Sequence, residues 1–247
     1  MIWIGTSGYQ YKEWRGSFYP EDLSEAKMLS YYAGQFPTVE INYTFNRVPT
    51  ESVLKKWIEQ TPEAFKFTLK AHRRLTHSKL FLEADLLKFF VERSKILGDK
   101  LGIILFQFPP TLKKDFRFLT ALLEALPEGT RAAFEFRHKS WFEDDLYERL
   151  RSRNLALCIA ESEEIKTPVV ATADYGYLRL RVETYSKDDI AKWAGVIKKI
   201  SSWKETFVYF KHEEEGTGPK FVRQLMEHFP SESASRGRGA TSGSLFG

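Results

Sequence analysis

The residues of this chain most able to do chemistry are carboxylates and cations that alternate with apolar residues in short runs. Val39-Glu40-Ile41-Asn42 puts Glu40 and Asn42 on one face of an extended segment and Val39 and Ile41 on the other. Phe67-Thr68-Leu69-Lys70 treats Lys70 the same way, and Phe134-Glu135-Phe136-Arg137 so treats Glu135 and Arg137. Leu178-Arg179-Leu180-Arg181 contributes two arginines, and Val208-Tyr209-Phe210-Lys211 a lysine. Gln107 and Glu161 end two further apolar runs. Charged residues are rarely buried without partners or purpose, so a polar face on otherwise apolar strands marks a candidate site.

Glu40 and Glu135 are the candidates for general acid and base, because two carboxylates in unlike surroundings can have their pKa values pushed apart. The competing reading pairs both with Lys70, Arg137 or Arg179 in a structural network. Lys70, Arg73, Arg137, Arg179, Arg181 and Lys211 suit an anion clamp, since guanidinium groups bind phosphate or carboxylate through paired hydrogen bonds. Six cations against Glu40, Glu135 and Glu161 leave positive charge for a ligand. His77 is a third catalytic candidate and His72 a possible proton carrier, both just past a strand. Asn42 and Gln107 would orient a substrate. Tyr9 and Trp14 belong to an aromatic cluster with Tyr11, Phe18 and Tyr19, which could stack on a base or sugar or simply pack a loop.

A divalent metal held by His72, His77, His138, Glu135 and Glu161 is opposed by the nearby cations. No HExxH-type spacing appears, so no metal ligand is assigned and no cofactor is required. Cys158 is the only cysteine and sits in an apolar run, which excludes an intramolecular disulfide and points to packing.

These residues need elements to position them. Strands are expected over 2–6, 39–42, 65–70, 101–108, 131–136, 155–160, 177–182 and 206–210. Helices are expected over 25–35, 50–60, 84–97, 116–126, 144–153, 187–201 and 218–229. Ser24 and Thr50 stand where caps belong, and Pro109-Pro110 stops the fourth strand. Eight strands alternating with helices in 247 residues imply an α/β fold of parallel units closed as a TIM-type (β/α)8 barrel. No glycine-rich phosphate fingerprint follows the first strand, which weighs against an open dinucleotide-binding sheet. In the barrel the apolar parity must meet the helices, so the polar parity points inward. The charges fall late in their strands, at the end where barrel enzymes build active sites.

Residues 1–230 read as one barrel domain and 231–247, SESASRGRGATSGSLFG, as a disordered Ser/Gly-rich tail. Hydrophobic residues make up 43% and the net charge is +4, which suits a folded chain with mild preference for anions rather than a dedicated nucleic-acid binder. The amino terminus lacks the charge and apolar pattern of a secretory signal, and no run is long enough for a membrane span. A cytoplasmic location is expected.

The chain also resembles a known family. The matching residues are Gly5-Thr6-Ser7-Gly8-Tyr9 with Tyr11, Trp14, Gly16 and Phe18-Tyr19-Pro20, then Val39-Glu40-Ile41-Asn42 with Thr44-Phe45. They continue through Phe67, Lys70, Arg73, Thr76, His77 and Gln107-Phe108-Pro109-Pro110 to Glu135, Arg137, Ser140-Trp141, Tyr177, Arg179 and Tyr209-Phe210. This is similar to the YecE-like family, the domain of unknown function numbered 72 (DUF72). The resemblance implies a TIM-type barrel and no established reaction. Three places depart from the family pattern: Leu180-Arg181-Val182 replaces Leu-His-Gly, Lys211-His212-Glu213 replaces asparagines and an acid, and Glu161 replaces aspartate. Those departures make the pocket more cationic.

The leading expectation is an enzyme that performs acid–base hydrolysis or cleavage of a phosphorylated or otherwise anionic substrate. Substituting Glu135 by Gln should then abolish activity and leave the fold intact. Two alternatives stay open: a metal-dependent nuclease of barrel type acting on DNA or RNA, and a non-catalytic module that binds a phosphorylated ligand. The expected partner is thus an anionic small molecule or a nucleic acid, with no membrane.

Overall fold

Val39, Ile41, Phe67, Leu69, Phe134, Phe136, Leu178, Leu180, Val208 and Phe210 share one parity, and they bury it against helices. The computed structural model describes residues 1–77, 82–212 and 216–230. Its strands are β1 (Ile2–Ser7), β2 (Thr38–Ile41), β3 (Lys66–Lys70), β4 (Leu101–Gln107), β5 (Ala132–Glu135), β6 (Ala156–Glu161), β7 (Tyr175–Leu180) and β8 (Glu205–Phe210). They run parallel and close in sequence order, with β8 against β1. This is the TIM-type (β/α)8 barrel. The expected tail, 231–247, lies outside the described residues. Among the described residues no helix is long and apolar enough to cross a membrane.

The helices are α1 (Met28–Gln35), α2 (Glu51–Glu59), α3 (Arg73–Thr76), α4 (Ala84–Ser94), α5 (Phe116–Ala125), α6 (Asp144–Arg151), α7 (Lys187–Lys199) and α8 (Thr217–Met226). Thr50 caps α2 by accepting from the amide of Val53 at 3.4 Å. Ser24 opens only a 3-10 turn, without a side-chain cap, so α1 begins three residues later than its sequence pattern suggests. The single turn α3 was not expected. His72 makes it, its Nδ1 accepting from the amide of Arg74 at 3.3 Å.

The second parity fills the lumen. Trp3, Ile103, Tyr175 and Phe207 lie at the amino-terminal end, with Trp3 stacked on Phe207 at 6.0 Å. Above them the hydroxyl of Tyr209 meets those of Thr38 and Thr68, each at 2.8 Å. β6 presents only Ala156, Cys158 and Ala160 to this space, and Cys158 is buried as packing. β6 is also the most weakly joined strand on one side: its register with β5 consists of Ala133 with Ala156 and Phe134 with Leu157.

The aromatic loop after β1 packs as a plug. Gly8 (φ +94°) turns the chain out of the strand in a conformation that favours glycine. Trp14 is fully buried, with Tyr11, Phe18 and Tyr19 within 6.1 Å ring to ring. Tyr9 is nearly buried against Tyr32. The expectation that Trp14 stacks on a substrate is therefore corrected, because protein rings already cover it; Tyr9 also lines a cleft with Tyr11, Asn42 and Trp57. Trp14→Ala should cost about 3–5 kcal/mol, read as a fall in Tm of at least about 6 °C. A variant that keeps its Tm would show that the ring is not a packing element.

Candidate functional site

The inner parity brings charged groups into one layer at the carboxyl ends of the strands. Ser7 ends β1, Glu40 stands on β2, Lys70 ends β3, Gln107 ends β4, Glu135 ends β5 and Arg179 stands on β7. Asn42, Arg137 and Arg181 follow their strands by one or two residues. β7 starts at Tyr175, two residues earlier than the sequence suggests, because it pairs with β8 along Tyr175–Leu180. Arg181 thus lies just past the strand and still reaches the layer.

Arg179 is the hub, only 2% exposed. Its Nη1 donates to Glu135 Oε2 at 2.6 Å and its Nη2 to Glu40 Oε1 at 2.7 Å. Glu40 Oε1 also accepts from Ser7 Oγ, and Oε2 accepts from the Tyr177 hydroxyl at 2.5 Å. Asn42 Nδ2 donates to Ser7 Oγ at 3.0 Å. The other oxygen of Glu135 accepts from Arg137 Nε at 2.8 Å and Arg181 Nη2 at 3.2 Å. Both glutamates are fully buried, and every one of their oxygens has a donor.

Burial alone would raise both carboxyl pKa values, but the guanidinium charges and hydrogen bonds outweigh it and hold both below the usual range. For Glu135 the opposing charges are Arg179, Arg181 and Arg137. Arg179 faces the same contest in reverse: burial disfavours its charge, and Glu40 and Glu135 restore it and raise its pKa. As placed, neither glutamate holds a proton at neutral pH, and each carboxylate oxygen accepts from a protein donor. These contacts are those of the structural network given above as the competing reading.

Lys70 and His77 are held differently. The Lys70 ammonium lies 4.0 Å from the centre of the Phe45 ring, and the His77 ring stands edge-on to the same ring at 5.0 Å. His77 Nδ1 shares a 2.8 Å hydrogen bond with Thr76 Oγ1. Burial, reinforced by Arg179, brings the Lys70 pKa down to about 8. Burial, then the charges of Lys70, Arg137 and Arg73, bring His77 down to about 4. Gln107 is 5% exposed, and its side chain has no hydrogen-bond partner among the described residues. Arg179 Nε and Arg181 Nε are also buried without one.

Other expected members lie elsewhere. Glu161 has the outward parity: it accepts from Trp193 Nε1 of α7 at 2.7 Å and pairs with Lys166 at 2.8 Å. The count of three acids is therefore corrected to two. Lys211 and Arg73 are exposed at the rim. His72 caps α3, and His138 bonds the hydroxyl of Ser140 at 2.8 Å. Among the described residues no three His, Cys, Asp or Glu side chains gather where they could hold a metal ion. Ser7, Tyr177 and Phe45 carry parts of the site that residue chemistry alone did not single out. The parity of Ser7 with Trp3, and of Tyr177 with Arg179, was the available signal.

Two outcomes follow for stability. Glu135→Gln should cost about 3–5 kcal/mol, because it leaves three guanidinium groups around an uncharged amide; the urea midpoint reads it, and an unchanged midpoint contradicts it. This replaces the expectation of an intact fold. The acid limb of the pH dependence has two stages, below the range in which the depressed pKa of Lys70, about 8, has already had its effect. His77 binds its proton less readily folded than unfolded, so its contribution is complete above about pH 6.5 and is lost toward its folded pKa of about 4. The glutamates, with depressed pKa values, add a further loss below about pH 4.3. In His77→Asn the first stage should vanish and the second remain, as urea midpoints across pH would register.

A family model described as "Protein of unknown function DUF72" matches residues 3–242. The UPF0759 protein YunF of Bacillus subtilis (strain 168) is 30% identical over 162 residues, which cover 62% of this chain and 56% of that protein. The UPF0759 protein YecE of Escherichia coli (strain K12) is 27% identical over 157 residues, 63% of this chain and 55% of that one. The chain spans about half the length of the curated relatives it matches. In fold it is similar to the crystal structure of a DUF72 family protein from Thermotoga maritima MSB8, with TM-score 0.81, 24% identity and coverage of 94% and 100%. A DUF72 family protein from Enterococcus faecalis V583 gives TM-score 0.78 at 18% identity, covering 93% of this chain and 96% of that one. With the barrel, its polar layer and a family match over nearly the whole sequence in agreement, this chain belongs to the DUF72 family.

Proposed function

We propose that the mouth of the barrel is the active site of an enzyme that cleaves a phosphorylated or otherwise anionic substrate. Arg137 and Arg181, with the Nε edge of Arg179, bind the anionic group; Gln107 and Asn42 orient the rest. His77 and Lys70 move protons. Glu40 and Glu135 serve them indirectly, by fixing the guanidinium groups in place.

One observation carries this reading. Four cations share a field with two carboxylates, and each carboxylate oxygen already accepts from a protein donor. Positive charge is therefore in excess at this end of the barrel. Guanidinium groups held by buried carboxylates are pre-organised, so they bind an anion without first paying to be ordered. A lysine with a pKa of about 8 suits proton transfer near neutral pH better than two carboxylates held ionised, and the uncharged imidazole nearby can relay the proton.

Inorganic phosphate titrated into the protein by calorimetry is the first test. Arg181→Gln should weaken its binding by at least about tenfold, the loss of one charge-assisted contact of ~1.4 kcal/mol. His77→Asn should leave phosphate binding and Tm in place and lower turnover of a phosphorylated substrate by about 10²–10⁴. Phosphate that binds equally well to Arg181→Gln, or not at all to either protein, would sink the reading.

A further inference from the structure

We propose that Lys70 is a nucleophile, and that the substrate is a small aldehyde or ketone bearing a phosphate or carboxylate group, which Lys70 captures as an imine. This rests on the anion-binding reading above and names the substrate class for the same site.

The position of Lys70 is unusual for a cation among acids. It ends β3 on the inner face, in the same layer as Glu40 and Glu135, yet it pairs with neither. Glu40 is filled by Ser7, Tyr177 and Arg179, and Glu135 by three arginines. Among the described residues the close neighbour of its ammonium is an aromatic ring, that of Phe45. Burial, and then the charges of Arg179 and Arg137, oppose the charged form, against the pull of Glu40 and Glu135 and of the ring face. The balance leaves roughly a tenth of the amine unprotonated at pH 7, one unit below its pKa. A lysine in a desolvated pocket beside other cations is the arrangement that makes an amine nucleophilic.

The step balances without any added oxidant or reductant. The amine lone pair attacks the carbonyl carbon, and the carbonyl π electrons pass to oxygen, which takes up a proton. The nitrogen gives up one of its two protons, the oxygen takes a second proton from solvent and departs as water, and a protonated carbon–nitrogen double bond remains. Arg137 and Arg181 hold the anionic group, so the carbonyl is delivered to Lys70 rather than found by collision. His77, edge-on to the same Phe45 ring, stays neutral at pH 7 and can accept the proton released. The imine draws electrons from the adjacent carbon, which permits cleavage of a carbon–carbon bond or loss of a proton there.

Pyridoxal 5′-phosphate serves as the probe, because it joins an aldehyde to a phosphate. The full chain is mixed with it, reduced with sodium borohydride and mapped by peptide mass spectrometry. A reduced adduct on the peptide holding Lys70 is expected. It should form about tenfold faster than with pyridoxal, which lacks the phosphate, the value of one ionic contact of ~1.4 kcal/mol. Inorganic phosphate should suppress it. Lys70→Arg keeps the charge but cannot form an imine, so a folded variant with unchanged Tm should lose that adduct. Labelling confined to surface lysines, or equal total labelling in Lys70→Arg, overturns the proposal. If phosphate binds and Lys70 stays unlabelled, the nucleophile is wrong and the anion site stands. If phosphate does not bind, the anion site falls and takes this substrate class with it.

Discussion

The upper half of the barrel depends on one buried side chain. Arg179 crosses the lumen from β7 and binds Glu40 on β2 and Glu135 on β5. Taking three charges out of water costs several kcal/mol per ion, and their mutual attraction offsets that only when geometry is good and the remaining hydrogen-bonding groups are satisfied. Here every carboxylate oxygen is satisfied, and the Nε atoms of Arg179 and Arg181 are left over. The layer thus tolerates its charge through completeness. Each further member follows from that need. Ser7, Tyr177, Arg137 and Arg181 are the donors that two buried carboxylates require beyond the one guanidinium.

The contrast within the layer is what gives it chemical character. The glutamates are held firmly ionised, while Lys70 and His77 are pushed toward neutrality by burial first and then by neighbouring cations, Arg137 among them for both. A group fixed in one charge state can organise a site; a group poised between two can act in it. Sequence reading assigned action to the carboxylates because carboxylates are common acids and bases. It had no means of counting the donors that each one meets.

Strand parity was the most legible feature of the sequence. It placed Glu40, Lys70, Gln107, Glu135, Arg179 and Tyr209 inward, and their observed neighbours agree. Parity is reliable here because a barrel strand has only two faces and the outer one must be apolar. Position along the strand was a weaker guide. Glu161 ends its strand as Gln107 does, but it follows the inward Ala160 and so turns to Trp193 on the outer helix layer. Loops were least legible. Nothing in the spacing of Tyr9 and Trp14 says whether their rings meet a ligand or one another, since both uses draw on the same apolar faces. Phe45 gave no local signal either, because its role arises from bringing Lys70 and His77, seven residues apart in sequence, to one ring.

The sparse inner face of β6 has a mechanical consequence. With only alanine and cysteine on that face, Arg179 on β7 can pass over Ala160 to reach Glu135 on β5. It therefore skips the strand whose ladder to β5 is the shortest in the ring. The ion pair works as a clasp over a seam that two ladder rungs join. Site charge and barrel closure are then one contact. A change at the exposed rim, as at Lys211, leaves the clasp in place, whereas one at Arg179 or Glu135 removes it.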